Sequence, residues 1–335
     1  MNAVELTCSN PDCRVAVDRK CVEGLPFDKC QFYGKPPSIS APINVDTQEA
    51  EPPKAGVDLE TGTTLNAVKA GPLLRLTPSR VIAIIGTHDC GKTSLLAGMY
   101  DSFQEGVVKG ISFAGSSTLH GFEEICHDSR VASKRGIAHS QRTKRGEVAF
   151  YHLDLNVPGE KGPVALLLAD RSGEEYEEVA DEVSNAGPMF ELRRADTVTI
   201  LVDGGRLSDP KTKHEVMGAI LPIVRGLKEA GAFGRRPQLA IVLTKNDAVH
   251  GSDRAADAAT DFERIVSSLK QKFGSDFSEI RHFATTASPK NMKVKRGDGL
   301  GELLGFWLQP TRPEPLSQRI VSDDRVFSKL APRGD

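Results

Sequence analysis

No run in this 335-residue chain approaches the roughly 18 successive apolar residues that cross a bilayer. The opening residues, M-N-A-V-E-L-T-C-S-N, lack the basic flank and apolar stretch of a secretory leader. These two absences set the expectation of a cytosolic protein. An excess of charge is missing as well: Lys+Arg of 43 against Asp+Glu of 45 leaves a formal net charge of -2. A general nucleic-acid-binding surface therefore has no support, although Lys134 to Arg145 is locally basic. Cysteine is scarce, and in a reducing compartment the six present are expected as thiols or metal ligands, not disulfides. No internal repeat is visible.

The length suffices for one large α/β domain with an appendage. Residues 1–33 hold four of the six cysteines. Residues 34–78 are rich in Pro, Gly, Thr and Ala (Pro36, Pro37, Pro52, Pro53) and read as an extended linker, with a short ordered piece near Leu73 to Leu76. Residues 79–309 alternate apolar strands with helical patterns, as a mostly parallel, doubly wound α/β sheet requires. The predicted strands are Val81–Ile85, Val148–Leu155, Val164–Ala169, Thr197–Asp203, Leu239–Thr244 and Arg281–Thr285. Phe262, Ile265, Val266, Leu269 and Phe273 recur at helical spacing and stop at Gly274, a natural cap. Val216, Ile220 and Leu227 form another stripe, in which Pro222 predicts a kink or break. Gly301 to Leu308, with the single tryptophan Trp307, predicts a closing helix on the sheet. Residues 310–335 are polar and proline-containing, and a flexible tail is expected.

After the first predicted strand the chain reads Gly86-Thr87-His88-Asp89-Cys90-Gly91-Lys92-Thr93, a G-x-x-x-x-G-K-T. Gly86 and Gly91 let the backbone curl until successive N–H groups point into an anion-sized hollow. Lys92 adds a mobile positive charge for β- and γ-phosphates, and Thr93 a hydroxyl for Mg²⁺. The helix expected through Ser94 and Leu95 aims the positive end of its dipole at the same hollow. His88 and Cys90 fill variable positions, and their side chains receive no catalytic role.

Further strand ends carry matching chemistry. Val164–Ala169 runs into Asp170-Arg171-Ser172-Gly173, a D-x-x-G. Asp170 at a buried strand end can hold a Mg²⁺-bound water, and the Gly173 amide can sense a γ-phosphate. Leu239–Thr244 runs into Thr244-Lys245-Asn246-Asp247, a T-K-x-D. A carboxylate there can accept two hydrogen bonds, from N1 and the exocyclic amine of guanine; adenine offers no such paired donors. Bonds to a charged group contribute roughly 1.5–3 kcal/mol each, so two favour guanine by about a hundredfold or more. Lys245 would lie along the base and ribose.

These signatures, in this order, resemble the GTPases of the translation-factor-related class, which includes Ras-like and dynamin-like proteins. The likeness covers residues 79–309. With the N-terminal cysteines, the chain is similar to the bacterial double-GTPase family, associated with conflict or defence systems beside a partner GTPase. The resemblance implies GTP/GDP and Mg²⁺ as cofactors, and as partner an effector or activating protein, a second GTPase among the candidates. It also places Thr285-Thr286-Ala287-Ser288 where a small turn donates the Ala287 amide to guanine O6.

The pattern departs in places. Thr244 stands where many members have Asn, although dynamin-like proteins also use Thr. Glu174 follows the D-x-x-G where Ras-like enzymes place a water-orienting glutamine. A carboxylate beside the γ-phosphate adds repulsion, so hydrolysis is expected to be slow and partner-accelerated. The alternative is that Glu174 opens an exposed helix, whose first turn favours acids. The switch threonine that completes Mg²⁺ coordination is assigned to Thr143, with Thr118 second. Gly115 to Gly146 reads as a long basic switch loop or an ordinary surface insertion. Arg142 and Arg171 are candidates for an arginine finger in cis.

Cys8, Cys13, Cys21 and Cys30 fall as C-x4-C-x7-C-x8-C. A segment this short cannot bury enough apolar surface to fold alone, and four thiolates around one structural Zn²⁺ would supply the cross-link in a zinc-ribbon-like module. Free cysteines in an arm, or a redox pair, are the alternatives. Three functions thus compete: a slowly hydrolysing GTP switch, a nucleotide-dependent scaffold without turnover, and a P-loop kinase or ATPase. The last lacks a use for the T-K-x-D.

Overall fold

The structure, a computed structural model, describes residues 9, 15, 26–30, 33–34, 62–129, 145–234, 236–289 and 296–310. The chain divides into two compact units, Met1–Leu59 and Glu60–Asp335. In the first, Phe27–Lys29 form one 3₁₀ turn, and the Phe27 and Tyr33 rings stack at 4.7 Å. Cys30 is a half-buried free thiol. Cys8, Cys13 and Cys21 lie outside the described residues, so the zinc reading falls there too.

The second unit is built on a seven-stranded sheet. Its strands are β1 (Ser79–Ile85), β2 (Ser112–Gly115), β3 (Ala149–Asn156), β4 (Val164–Asp170), β5 (Thr197–Asp203), β6 (Gln238–Thr244) and β7 (Ile280–Ala284). Their order is β2-β3-β4-β1-β5-β6-β7. β4, β1, β5, β6 and β7 run parallel, while β3 is antiparallel to β4 and β2 to β3. Every residue of β4, β5 and β6 is buried, which is why V-A-L-L-L-A and Q-L-A-I-V-L-T read as unbroken apolar runs.

Alternation along the strands feeds two cores. Ala83, Ile85, Val198, Ile200 and Ile241 face the first, closed by α4 (Gly173–Asp181), α5 (Phe190–Arg194), α7 (Lys213–Glu229) and α9 (Ala255–Phe273). Ile82, Ile84, Leu166, Leu168 and Val242 face the second, closed by α2 (Lys92–Gln104), α3 (Leu119–Ser129) and α10 (Leu300–Trp307). Two one-turn helices complete the set: α6 (Gly204–Ser208) and α8 (Asn246–His250). Trp307 is fully buried on the sheet, and its indole N–H donates to Thr199 Oγ1 at 2.9 Å. Among the described residues no helix is long and apolar enough to cross a membrane.

Four local features differ from expectation. A helix, α1 (Ala67–Leu76), includes the short ordered piece expected near Leu73 to Leu76 and carries it further into the stretch read as linker. Asn66 caps it by accepting from the Lys69 amide, and Ala70 joins Leu65, Val81, Phe150 and Leu167 in a third small cluster. The strand β2 is only four residues, too short to leave a pattern. The segment from Gly115, read as one long loop, contains α3, whose Phe122 and Cys126 bury at i and i+4 beneath a polar surface. Finally, α7 runs unbroken through Pro222. Pro222 and Gly218, whose carbonyl loses its helical donor, are both exposed, so that carbonyl is open to solvent and the helix tolerates the missing bond. The expected stop of α9 at Gly274 does occur, but with Gly274 at φ -55° leading into a 3₁₀ turn.

Candidate functional site

The carboxyl ends of β1, β4, β5, β6 and β7 share one rim, where parallel α/β sheets place their ligands. β1 delivers the loop Gly86 to Gly91. Two residues there take left-handed backbone, Gly91 at φ 98° and Asp89 at φ 58°, which curls the loop into the start of α2 at Lys92. A Cβ on Gly86 would stand 2.3 Å from Cys90 Sγ, so any larger residue there would force the Cys90 side chain to move. Cys90 itself turns its side chain into the core, where burial raises the thiol above its usual range. It faces the loop with backbone alone. His88 and Asp89 pair outside, Nε2 to Oδ2 at 3.0 Å.

Lys92 is buried and donates to the carbonyls of Gly86 at 3.0 Å and Thr87 at 3.2 Å, spanning the hollow. Thr93 and Ser94 follow, half-buried, in the first turn of α2, whose amides have no helical acceptor. Beside this loop, β4 ends in the buried Asp170. Gly173 packs directly on the loop: a Cβ there would lie 2.7 Å from the His88 amide nitrogen, Lys92 Nζ and the Thr87 carbonyl carbon. The phosphate loop and the D-x-x-G glycine are therefore in contact.

The base-reading loops reach the same rim. Thr244 is buried, and its hydroxyl lies 2.7 Å from the Cys90 carbonyl and 3.2 Å from that of Val202. It braces the phosphate loop against β6. Lys245, at φ 51°, donates to the Asp89 carbonyl at 2.8 Å and to Asp203 Oδ2 at 2.6 Å. Asp247 stands half-exposed in α8. The Asn246 amide donates to the Thr285 carbonyl at 3.1 Å, which joins the T-K-x-D turn to the Thr285–Ser288 loop. Ala287 closes on α2, where a Cβ on Gly98 would meet Ala287 Cβ at 2.9 Å.

Other candidates fall elsewhere. Thr118, second choice for the switch threonine, is fully buried, and its hydroxyl accepts from the His152 amide of β3 at 2.8 Å. It braces β3 and is not on the rim. Thr143 and Arg142 lie outside the described residues. Arg171 is not a finger: it is buried in a bidentate pair with Glu191, at 2.7 and 3.0 Å, and a third bond to Glu175 at 2.8 Å. Burial works against its charge, but the bonds to Glu191 outweigh it and the guanidinium is raised above its ordinary value. Glu174 opens α4 and lies 3.6 Å from Arg145, which also pairs with Glu178.

Two residues at the rim had escaped the sequence reading. Asp203, which the sequence offers only as the last residue of a predicted strand, caps α6 through the Arg206 amide and holds Lys245. Its register opposite Thr244 is the signal that marks it. Glu177 accepts from the His88 amide at 3.0 Å. It sits one turn beyond Glu174, on the same face of α4.

The model of the Double-GTPase 2 family matches residues 80–308. No curated protein matches. Among solved structures, the chain is similar to the signal recognition particle receptor SRb-GTP/SRX complex from Chaetomium thermophilum. The identity is 13%, the TM-score 0.41, and the match covers 69% of this chain and 96% of that one. It is also similar to Methanosarcina barkeri Roco2 RocCORdC bound to GDP, at 14% identity and a TM-score of 0.33, covering 68% of this chain and 48% of that one. The family match spans the whole rim, from the strand before the phosphate loop to the last helix, and the chain belongs to the Double-GTPase 2 family of P-loop GTPases.

Proposed function

We propose that the chain binds GTP with Mg²⁺ at this rim and hydrolyses it slowly, as a conformational switch read by a partner protein. The observation that carries the reading is convergence. Gly173 packs against Lys92, Thr244 bonds to the Cys90 carbonyl, and the Asn246 amide bonds to the Thr285 carbonyl, so phosphate-side and base-side loops meet at one rim.

In this reading the loop amides from Asp89 to Ser94 and the Lys92 ammonium hold the phosphates. Thr93 and Asp170 would hold Mg²⁺: a hydroxyl and a buried carboxylate are the hard oxygen donors that ion takes, with phosphate and water completing its shell. Mg²⁺ supplies charge neutralisation on the β- and γ-phosphates. Asp247 and the Ala287 amide read guanine. Among the described residues no cluster of three His, Cys, Asp or Glu is arranged for a metal, and a Mg²⁺ site of this kind needs none.

Slow turnover is supported by Glu174, which brings no amide to orient water and lies near Arg145 at 3.6 Å. The same contact favours a second reading, a scaffold that binds GTP without turnover; phosphate release with the natural partner present separates the two. The family likeness makes a second GTPase the partner to try first, in a conflict or defence setting.

Binding of GTP and ATP to the wild type and to Asp247→Ala tests the core of the proposal. Two lost bonds to a charged acceptor predict about a hundredfold weaker GTP binding, with ATP binding unchanged. Equal affinity for ATP and GTP in the wild type, or GTP binding unaffected by the substitution, would overturn it.

A further inference from the structure

Lys245 leaves β6 from a left-handed backbone position and spends its ammonium on two protein oxygens, the Asp89 carbonyl and Asp203 Oδ2. Asp203 is a nearly inaccessible carboxylate on the last residue of β5, in register with Thr244 on the neighbouring strand. Its other oxygen accepts from the Arg206 amide at 3.0 Å, so the turn into α6 sets the orientation of the carboxylate. The lysine stem lies over that turn: a Cβ on Gly205 would come within 3.6 Å of Lys245 Cδ and 3.3 Å of Asp203 Oδ1.

We propose that Asp203 is a positioning residue that sets how long the nucleotide stays bound, acting by anchoring Lys245 across the phosphate loop. The inference rests on the GTP-binding reading above and adds to it a residue outside the nucleotide signatures. A free lysine samples many rotamers and keeps its ammonium in water. Anchored at both ends, it presents a fixed methylene flank beside the nucleotide. It also ties the ends of β5 and β6 to the Asp89 carbonyl. Asp89 is the non-glycine residue of the loop with left-handed backbone, φ 58°, a conformation that a bond to its carbonyl helps to hold. Losing the anchor loosens the flank and the loop together.

The test is dissociation of fluorescent N-methylanthraniloyl-GDP from the full chain, chased with unlabelled GDP. Asp203→Ser isolates the anchoring role, because a serine hydroxyl still caps α6 but is too short to reach Lys245. It is expected to release nucleotide about tenfold faster or more, the scale of a bond to a charged group. In a Lys245→Met background the same substitution is expected to add less than about twofold, since two residues acting through one contact are not additive. A structural role of Asp203 that does not pass through Lys245 would accelerate release equally in both backgrounds, and that result would overturn the proposal. Release from Asp203→Ser within twofold of wild type would overturn it as well. If Asp203→Ser melts, Asp203→Asn gives the same comparison, with acceleration expected only where Lys245 is present. A wild-type chain that takes up no guanine nucleotide overturns the function reading along with this one.

Discussion

The carboxylate of Glu177 accepts a hydrogen bond from the backbone amide of His88 at 3.0 Å, fastening α4 to the phosphate loop. Gly173, at the start of the same helix, touches that amide and Lys92 Nζ. One face of α4 is thus clamped against the loop at its first and second turns. These contacts couple the position of α4 to that of the phosphate loop.

In the proposed GTP complex the γ-phosphate and the Glu177 carboxylate would be like charges at one end of the loop, and their repulsion would weigh against GTP more than GDP. Glu177→Gln keeps an acceptor for the His88 amide and removes the charge. We expect the ratio of GTP to GDP affinity to rise roughly fivefold, from about 1 kcal/mol of relieved and partly screened repulsion. Calorimetric titration of both nucleotides measures it; an unchanged ratio would remove Glu177 from the phosphate end of the site.

Arg171 lies inside the D-x-x-G and is buried against Glu191, itself fully inaccessible. Arg171→Met is expected to cost about 3–5 kcal/mol, because it leaves a buried carboxylate without its counter-charge. The double variant Arg171→Met/Glu191→Leu should recover most of that loss, leaving roughly 1 kcal/mol or less. Urea unfolding of the three proteins decides. Equal stability of the single and double variants would mean that Glu191 bears no charge needing compensation.

Stability should fall in alkali. Burial, and then the charge of Asp170, pushes the Tyr151 phenol well above its usual value of 10.0. Burial raises the Tyr176 phenol likewise. Below pH 10 the folded and unfolded chains both keep these protons, and the tyrosines add no pH dependence. Above it the unfolded chain releases protons that the folded chain retains, so the balance shifts toward unfolding. The urea midpoint is expected to decline from about pH 10 upward, less steeply in Tyr151→Phe. Identical slopes for the variant and the wild type would contradict the assignment to Tyr151.

The unbroken apolar strands, the curl of Gly86 to Lys92 and the helix after it were legible in the sequence because each is decided locally. Strand burial on both faces demands a continuous apolar run, a left-handed position such as that of Gly91 favours glycine, and a helix start needs only its own first residues. Legibility failed where apolar residues were sparse or masked. The α1 helix hides behind Gly71 and Pro72, and α3 behind the charges around Phe122 and Cys126. It failed again at the rim, where the identity of a residue says less than its neighbours do. Thr118 and Arg171 are the residue types a nucleotide site uses, yet both are buried as braces.

Only the strand order could decide which carboxylate meets which loop. His88 and Glu177 are 89 residues apart, Lys245 and Asp203 42, and Thr244 and Cys90 154. β4 lies beside β1, and β6 beside β5. Short local motifs carry their own backbone requirements, so the chain declares them. Contacts across that distance depend on long-range burial that brings the strand ends together, and no local pattern records it.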